Sequence, residues 1–471
     1  MAEAQLEELI SEPVAAFDGS YTRMESLDRG ARERLQLEAL KLRFGQLRDE
    51  IGTLKTLADR QGIDQLDRIE DVFPLLFTHT MYKSYPSKLL LEKRFDLLTD
   101  WLGRLTSADL SGVDVSDCNS VDEWFDRLDR QTELCVLHTS GTTGTMSFLP
   151  WSKREMDAFV GAMGTIFSQT FGVEEDWRES EAIDVVFPYF RSGGGLTFRQ
   201  NDSTEKLIAR SPDRFHALFP QRVSSDVLYL SARMRAAAMD GQADPIEVDP
   251  ELLERKEEFE RLRADMAGRV TSFLDEIADE LGGQRIWTIG SPQMLTEMAQ
   301  VGLAKGRSRV FAPNSILICA GGRKGWDPPK GWRETILEFF GAAELRFFYG
   351  MSEVGLVSRL CERGRYHINP WVIPFVLDPD TGDPLPRAGV TSGRAAFYDL
   401  MAGARWGGFI SGDEITLHWD GICECGRSTL YMDDGIQRLS ESRGGDDKIT
   451  CAATEESHRE ALDYLTALEG A

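Results

Sequence analysis

The chain has 471 residues, and 53 lysines and arginines stand against 78 aspartates and glutamates, a formal charge of −25. With 42% apolar and 28% charged residues it has the mixture of a globular protein that buries a large core, and at roughly 150 residues per domain it predicts about three domain-sized units, or one large domain and a smaller one. The acidic balance argues against a nucleic-acid backbone binder and against docking on anionic lipid, and no apolar run approaches the ~18–20 residues that span a bilayer.

The opening MAEAQLEELISEPV is acidic, has no basic residue before Arg23, and reads as neither a secretory signal nor a transit peptide. Seven scattered cysteines, an odd number, do not form a disulfide framework, so a reducing, cytoplasmic setting is expected. Only Cys423 and Cys425 lie close together, in CEC. With no second pair in view, that segment reads as a loop rather than a metal site.

Residues 1–130 are expected to be mainly helical. Leu37, Leu40, Phe44, Leu47, Ile51 and Leu54 recur at steps of three and four and share one face, with Arg43, Arg48 and Glu50 on a solvated side. From Leu134 short apolar runs end in glycine-rich or polar turns: LCVL (134–137), IDVVF (183–187), VLYL (227–230), RIWTIG (285–290), SILICAGG (315–322) and LRFFYG (345–350). These suit strands buried on both faces of a largely parallel sheet. Asp249 and Pro250 predict the start of a long helix whose apolar face runs from Phe259 to Leu281. Residues 131–370 thus read as an α/β core. DPDTGDPLPRAG (378–389) predicts a hairpin within a smaller β-rich subdomain at 371–441, and a short tail at 442–471 ends in an amphipathic helix from Ala452.

LHTSGTTGTM (137–146) carries the clearest chemistry. An apolar strand runs straight into Thr139, Ser140, Gly141, Thr142, Thr143 and Gly144. Glycines let successive backbone N–H groups converge on a phosphate, and the hydroxyls add donors. The segment is neither a Walker A loop nor a dinucleotide fingerprint, since GK[ST] and GxGxxG are both missing from it.

This loop resembles the phosphate-binding signature of adenylate-forming enzymes, the superfamily of acyl- and aryl-CoA ligases, luciferases and peptide-synthetase adenylation domains. Further segments follow in the family order. FFYGMSEVG (347–355) resembles the motif that flanks the adenylate, mapping to Tyr349, Gly350, Met351 and Ser352, with Glu353 helping to hold Mg²⁺. SGDE (411–414) resembles the motif whose aspartate binds the ribose hydroxyls, here Asp413. SRGGDDKI (442–449) resembles the hinge motif, with Arg443 as phosphate and ribose partner, although Ser442 and the extra glycine depart from the pattern.

The resemblance covers roughly residues 130–450. It implies an adenylate-forming large domain of α/β class, with a helical N-terminal region, mixed or parallel sheets flanked by helices and a small β-rich subdomain. It also implies ATP and Mg²⁺ as cofactors and a carboxylic acid as substrate. The usual C-terminal lid, with its lysine, is expected to be truncated or absent, because few residues follow the hinge-like segment. Lys448 and Lys324 are the available lysines.

Two branches fit. ICAGGRKGW (318–326), with Gly321 and Gly322, and a cysteine near the C-terminus, Cys451, look like LuxE-type acyl-protein synthetases. In that family a fatty acid is adenylated, moved to the cysteine, and passed to a reductase partner or carrier. Lys448 favours a Cys451 thiolate, whereas Asp446, Asp447, Glu455 and Glu456 oppose it, and by residue type Cys451 reads equally as a packed, unreactive thiol. GICECGRSTLYM (421–432) is similar to phenylacetate-CoA ligases, which use free coenzyme A. A nucleotide-binding regulatory protein without turnover is the reading from another class.

Overall fold

The computed structural model describes residues 3–140, 145–173, 182–239, 248–266, 268–321, 326–440 and 461–464. The chain forms two compact units, residues 1–177 with 350–449, and residues 178–349 with 450–471.

The first unit opens in helices. Arg29–Leu47 starts where the Asp28 carboxylate accepts the Ala31 N–H at 2.9 Å. Its stripe of Leu40, Phe44 and Leu47, with Ile51 and Leu54 beyond it, is buried as expected. Arg43 corrects the expected solvated side. It is 8% exposed and donates to the carbonyls of Ile10, at 2.6 Å, and Leu400, at 3.2 Å. A guanidinium is tolerated inside once backbone carbonyls replace its water.

These helices belong with a seven-stranded sheet in the order Arg365–His367, Tyr431–Asp433, Gly408–His418, Val390–Asp399, Val372–Leu377, to which Phe77–Thr78 and Gln437–Arg438 add by pairing with Gly408–His418. Every pairing is antiparallel except that of Phe77–Thr78. The 378–389 segment joins two antiparallel strands, as its turn residues predict. LCVL is corrected. It lies in Leu134–Ser140, which forms a two-stranded antiparallel pair with Met146–Ser152 rather than joining a parallel sheet. A continuous apolar run reports burial on both faces but not the direction of the neighbour. Here aromatic rings supply much of that burial, with Trp124 5.1 Å and Phe125 5.9 Å from Phe148 between ring centroids.

The second unit holds parallel strands in the order Phe215–Arg222, Asp184–Ser192, Ile286–Gly290, Ile316–Cys319, Leu345–Met351. Four of the apolar runs read from the sequence fall on these strands. VLYL does not. It lies inside the helix Ser225–Met239, because four apolar residues fit either period and the Ser224 hydroxyl accepts the Val227 N–H at the helix start. The long helix expected from Pro250 is broken into Pro250–Glu254, Lys256–Met266 and Arg269–Leu281, with Gly268 at φ +81° before the last segment. That conformation lies outside the helical basin and interrupts the axis, while Phe259, Phe273, Ile277 and Leu281 stay buried. Ala461 and Leu462, the described part of the expected terminal helix, pack on Val227, Leu230, Leu252 and Phe259. Among the described residues no helix is long and apolar enough to cross a membrane.

Helix Pro292–Ala304 packs on Trp332–Phe340 through a glycine. A Cβ at Gly302 would stand 2.1 Å from the Phe339 ring. Gly302→Ala is therefore expected to destabilise the chain by about 1–3 kcal/mol through overpacking, read as a lower urea midpoint at unchanged slope.

Candidate active site

The turn that carries Ser352 and Glu353 joins the strand Leu345–Met351 to Val354–Arg359, and buried groups of the first unit hold it. Arg405, 1% exposed, donates to the Asp399 carboxylate at 2.7 Å and to the Glu353 carbonyl at 2.9 Å. The other partners of Asp399 are the Gly355 N–H, at 2.8 Å, and the Met401 N–H, at 3.0 Å. Trp151 lies under the Arg405 guanidinium at 4.5 Å, and its indole N–H donates to the Ser352 carbonyl at 2.9 Å. The Glu353 turn is thus fixed on both sides by its backbone, so the carboxyl is left for chemistry.

Glu155 completes this support. Its carboxylate accepts the N–H groups of Gly403 and Ala404 and stands 3.7 Å from Arg405, while it also forms a capping box with Ser152 at the start of Lys153–Ser168. Burial raises the Glu155 carboxyl above the usual range, opposed by Arg405 and the two backbone donors.

Burial pushes the Glu353 carboxyl up and the Asp413 carboxylate adds to the rise, whereas Arg438 and Arg405 pull it down. Asp413 sits in the strand Gly408–His418, where Ser411 Oγ accepts its N–H at 3.1 Å. Across the sheet it pairs in register with Arg438, whose Nε reaches Asp413 Oδ1 at 3.0 Å. Arg438 was not singled out from the sequence. Its alternation opposite Asp413 is a signal only once the strand register is known. Glu353 offers hard carboxylate oxygens of the kind that a magnesium ion takes.

The other expected site residues divide. Thr139 and Ser140 end the strand Leu134–Ser140, in register with Ser147 and Met146. Gly350 is exposed, Met351 and Ser352 are half-buried, and Tyr349 is half-buried at the last position of the second unit. Gly321, exposed at φ +93°, directly follows Ile316–Cys319 in that unit. Gly141, Thr142, Thr143, Gly144, Gly322, Arg443 and Cys451 lie outside the described residues, as do Lys324 and Lys448. His138 is buried, with its ring 5.9 Å from Phe125.

The reading of CEC as a loop without a second pair is corrected. Cys361 and His367 meet Cys423 and Cys425, and one ligand atom from each lies within 4.8 Å of all the others. The strands Arg365–His367 and Tyr431–Asp433 bring the two segments side by side, a pairing that no local spacing displays.

No family model and no curated protein matches the sequence. Among solved structures, 2-hydroxyisobutyryl-CoA ligase in complex with 2-HIB-AMP and CoA, in the thioesterification state, aligns with a TM-score of 0.50 at 14% identity over 88% of this chain and 70% of that one. ATP-bound MatB from Rhodopseudomonas palustris aligns at 0.34 and 16% identity over 63% of this chain and 46% of that one. The luciferase-like enzyme of the nonluminescent Zophobas morio mealworm aligns at 0.31 and 11% over 64% and 57%. The first of these likenesses establishes that the chain has the α/β fold of an adenylate-forming ligase.

Glu155 gives a pH test of the support beneath Glu353. Because burial raises its carboxyl, the folded chain holds that proton more tightly than the unfolded chain. Its contribution to stability is full below the ordinary value of 4.5 and is lost as pH rises through the folded value. Glu155→Gln keeps the shape without the titration. The stability of the native chain minus that of the variant is expected to fall as pH rises from 4.5, measured by urea unfolding at successive pH values.

Proposed function

We propose that this chain is an ATP-dependent acid–thiol ligase that activates a carboxylic acid as its acyl-adenylate. The reading rests on Glu353 and Asp413 falling in the family order of motifs, with the Glu353 turn held through its backbone by Arg405 and Trp151 and Asp413 paired with Arg438.

In the first step a substrate carboxylate oxygen bonds to the α-phosphorus of ATP, the bond to the bridging oxygen breaks, and pyrophosphate leaves with the electron pair. No protein nucleophile is needed, so the residues position and stabilise. Asp413, oriented by Arg438 at 3.0 Å, is suited to accept from the ribose hydroxyls. The Ser/Thr/Gly segment from Thr139 to Gly144 would supply N–H and hydroxyl donors to phosphate. Glu353 would hold a magnesium ion, which neutralises charge on the phosphate oxygens. In the second step a thiolate attacks the acyl carbon and AMP departs, leaving a thioester.

For the acceptor we place first the LuxE-like route, in which Cys451 takes a fatty acyl group and passes it to a reductase or carrier partner. Its basis is the position of that cysteine in the sequence beside Lys448. Free coenzyme A is the second acceptor, supported by the bound CoA of the 2-hydroxyisobutyryl-CoA ligase that shares the fold.

The test is acid-dependent pyrophosphate release over a panel of fatty and aryl acids, each with and without coenzyme A, followed by intact-protein mass. Release with an acyl-sized mass gain that Cys451→Ser abolishes supports the acyl-protein route, and a free CoA thioester without adduct assigns the second acceptor. Silence with every acid refutes the ligase. Glu353→Gln is expected to lower kcat/KM for release by about 10²–10³-fold while the chain stays folded by circular dichroism.

A further inference from the structure

The four-residue cluster of the first unit, Cys361, His367, Cys423 and Cys425, is independent of that reaction and of the residues assigned to it. Two of its cysteines open turns of the same build. In Cys361–Gly364 the glycine N–H donates to the Cys361 carbonyl at 2.9 Å, and the Cys361 N–H donates to the Arg365 carbonyl at 2.8 Å. In Cys423–Gly426 the corresponding bonds are 2.8 Å, and 3.0 Å to the Arg427 carbonyl. Both turns end on a glycine in the left-handed region, Gly364 at φ +69° and Gly426 at φ +90°. Such turns aim a thiol inward from a tight chain reversal, where a side chain at the glycine would be strained. Cys425, within the second turn, and His367, on the following strand Arg365–His367, add the other two ligand atoms.

The histidine is already set for coordination. The Thr429 hydroxyl donates to the Glu25 carboxylate at 2.5 Å, so its oxygen has only lone pairs to offer His367 Nδ1, 2.9 Å away. With the ring proton on Nδ1, Nε2 would present its lone pair toward Cys425 Sγ, 3.3 Å away. Cys361, His367 and Cys423 are 7%, 1% and 4% exposed, and Cys425 is half-buried, so three of the four ligands are enclosed. A tetrahedral zinc with sulfur ligands has sulfurs about 3.8 Å apart, which follows from a Zn–S distance of about 2.3 Å. The four ligand atoms, all within 4.8 Å of one another, need only a small contraction to reach it. Three thiolates and a neutral imidazole around a dication carry one net negative charge, and buried Arg427, two residues after Cys425 and paired with Glu362 at 3.1 Å, is a cation close to it in sequence.

We propose that Cys361, His367, Cys423 and Cys425 form a structural, four-coordinate site for a zinc-class divalent cation. Soft sulfur with one imidazole selects zinc over magnesium or calcium, and four protein ligands leave no position for substrate. The ion ties the turn after Val354–Arg359 to the turn before Tyr431–Asp433, and through Thr429 and Glu25 to the helix Tyr21–Glu25.

The full chain, expressed with zinc and purified without chelator, is expected to carry about one zinc per chain by elemental analysis. Cobalt exchanged into it should give the visible ligand-field bands and sulfur charge-transfer absorption of a tetrahedral thiolate complex. Cys425→Ser should remove both, and Thr429→Val, which leaves the ligands in place, should weaken the metal about 10–100-fold in a chelator competition. Should the cysteine variant fail to fold, the cobalt spectrum of the native chain decides. A native chain without zinc and without those bands overturns the site, as does zinc retained unchanged by folded Cys425→Ser, or a disulfide among the three cysteines.

Discussion

A single buried cation organises the first unit. Arg405 meets two carboxylates, a tryptophan face and the carbonyl of Glu353, drawn from three stretches of sequence at 151–155, 353 and 399. Removing such a charge from water costs several kcal/mol, and attraction alone does not repay it without good geometry and filled hydrogen bonds. Here Asp399 is satisfied by Arg405 and two backbone N–H groups, and Glu155 by two more. What this arrangement contributes is definition rather than net stability. It admits one backbone path for residues 352–355 and so one place for the Glu353 carboxyl.

The two polar clusters of this unit serve different ends. The Arg405 cluster lies beneath the turn where reacting groups are proposed to meet, and the sulfur cluster lies at the strand pair Arg365–His367 and Tyr431–Asp433. They share a strand neighbourhood. His418, on the Asp413 strand, donates through Nε2 to the Asp433 carboxylate at 2.9 Å, and Arg365 reaches Asp433 at 2.8 Å. The sheet that displays Asp413 is thus braced at its far edge by polar pairs, and Arg438 follows shortly after that brace.

What the sequence disclosed was whatever is local. The stripe from Leu40 to Leu54, the hairpin at 378–389 and four of the parallel strands are legible because periodicity and turn chemistry act over a few residues. The order of motifs made Glu353 and Asp413 visible. Arg438 and the Cys361–His367 pair were not visible, since their meaning depends on strand register. VLYL and LCVL went astray for a related reason: four apolar residues say that a segment is buried and nothing about its partner. Arg43 shows the limit of charge as a marker of the surface, because the carbonyls that accept it come from Ile10 and Leu400.

The discontinuity of the first unit has a cost in time. Glu155 and the backbone it binds at Gly403 are 248 residues apart, and residues 178–349 belong to the other unit between them. A ribosome adding about 5–20 residues per second needs on the order of ten to thirty seconds to make that insertion. Throughout this interval the amino-terminal helices have been synthesised but lack Arg405, Asp399 and the sheet that buries Phe44 and Leu47. Closure of the unit must then wait for distant contacts, whose chain-ordering entropy is spent before they reward it. The capping box of Ser152 and Glu155 can start its helix early, but the carboxylate acquires its cation only at the end. Residues 1–177 are therefore synthesised well before residues 350–449, with which they form one compact unit.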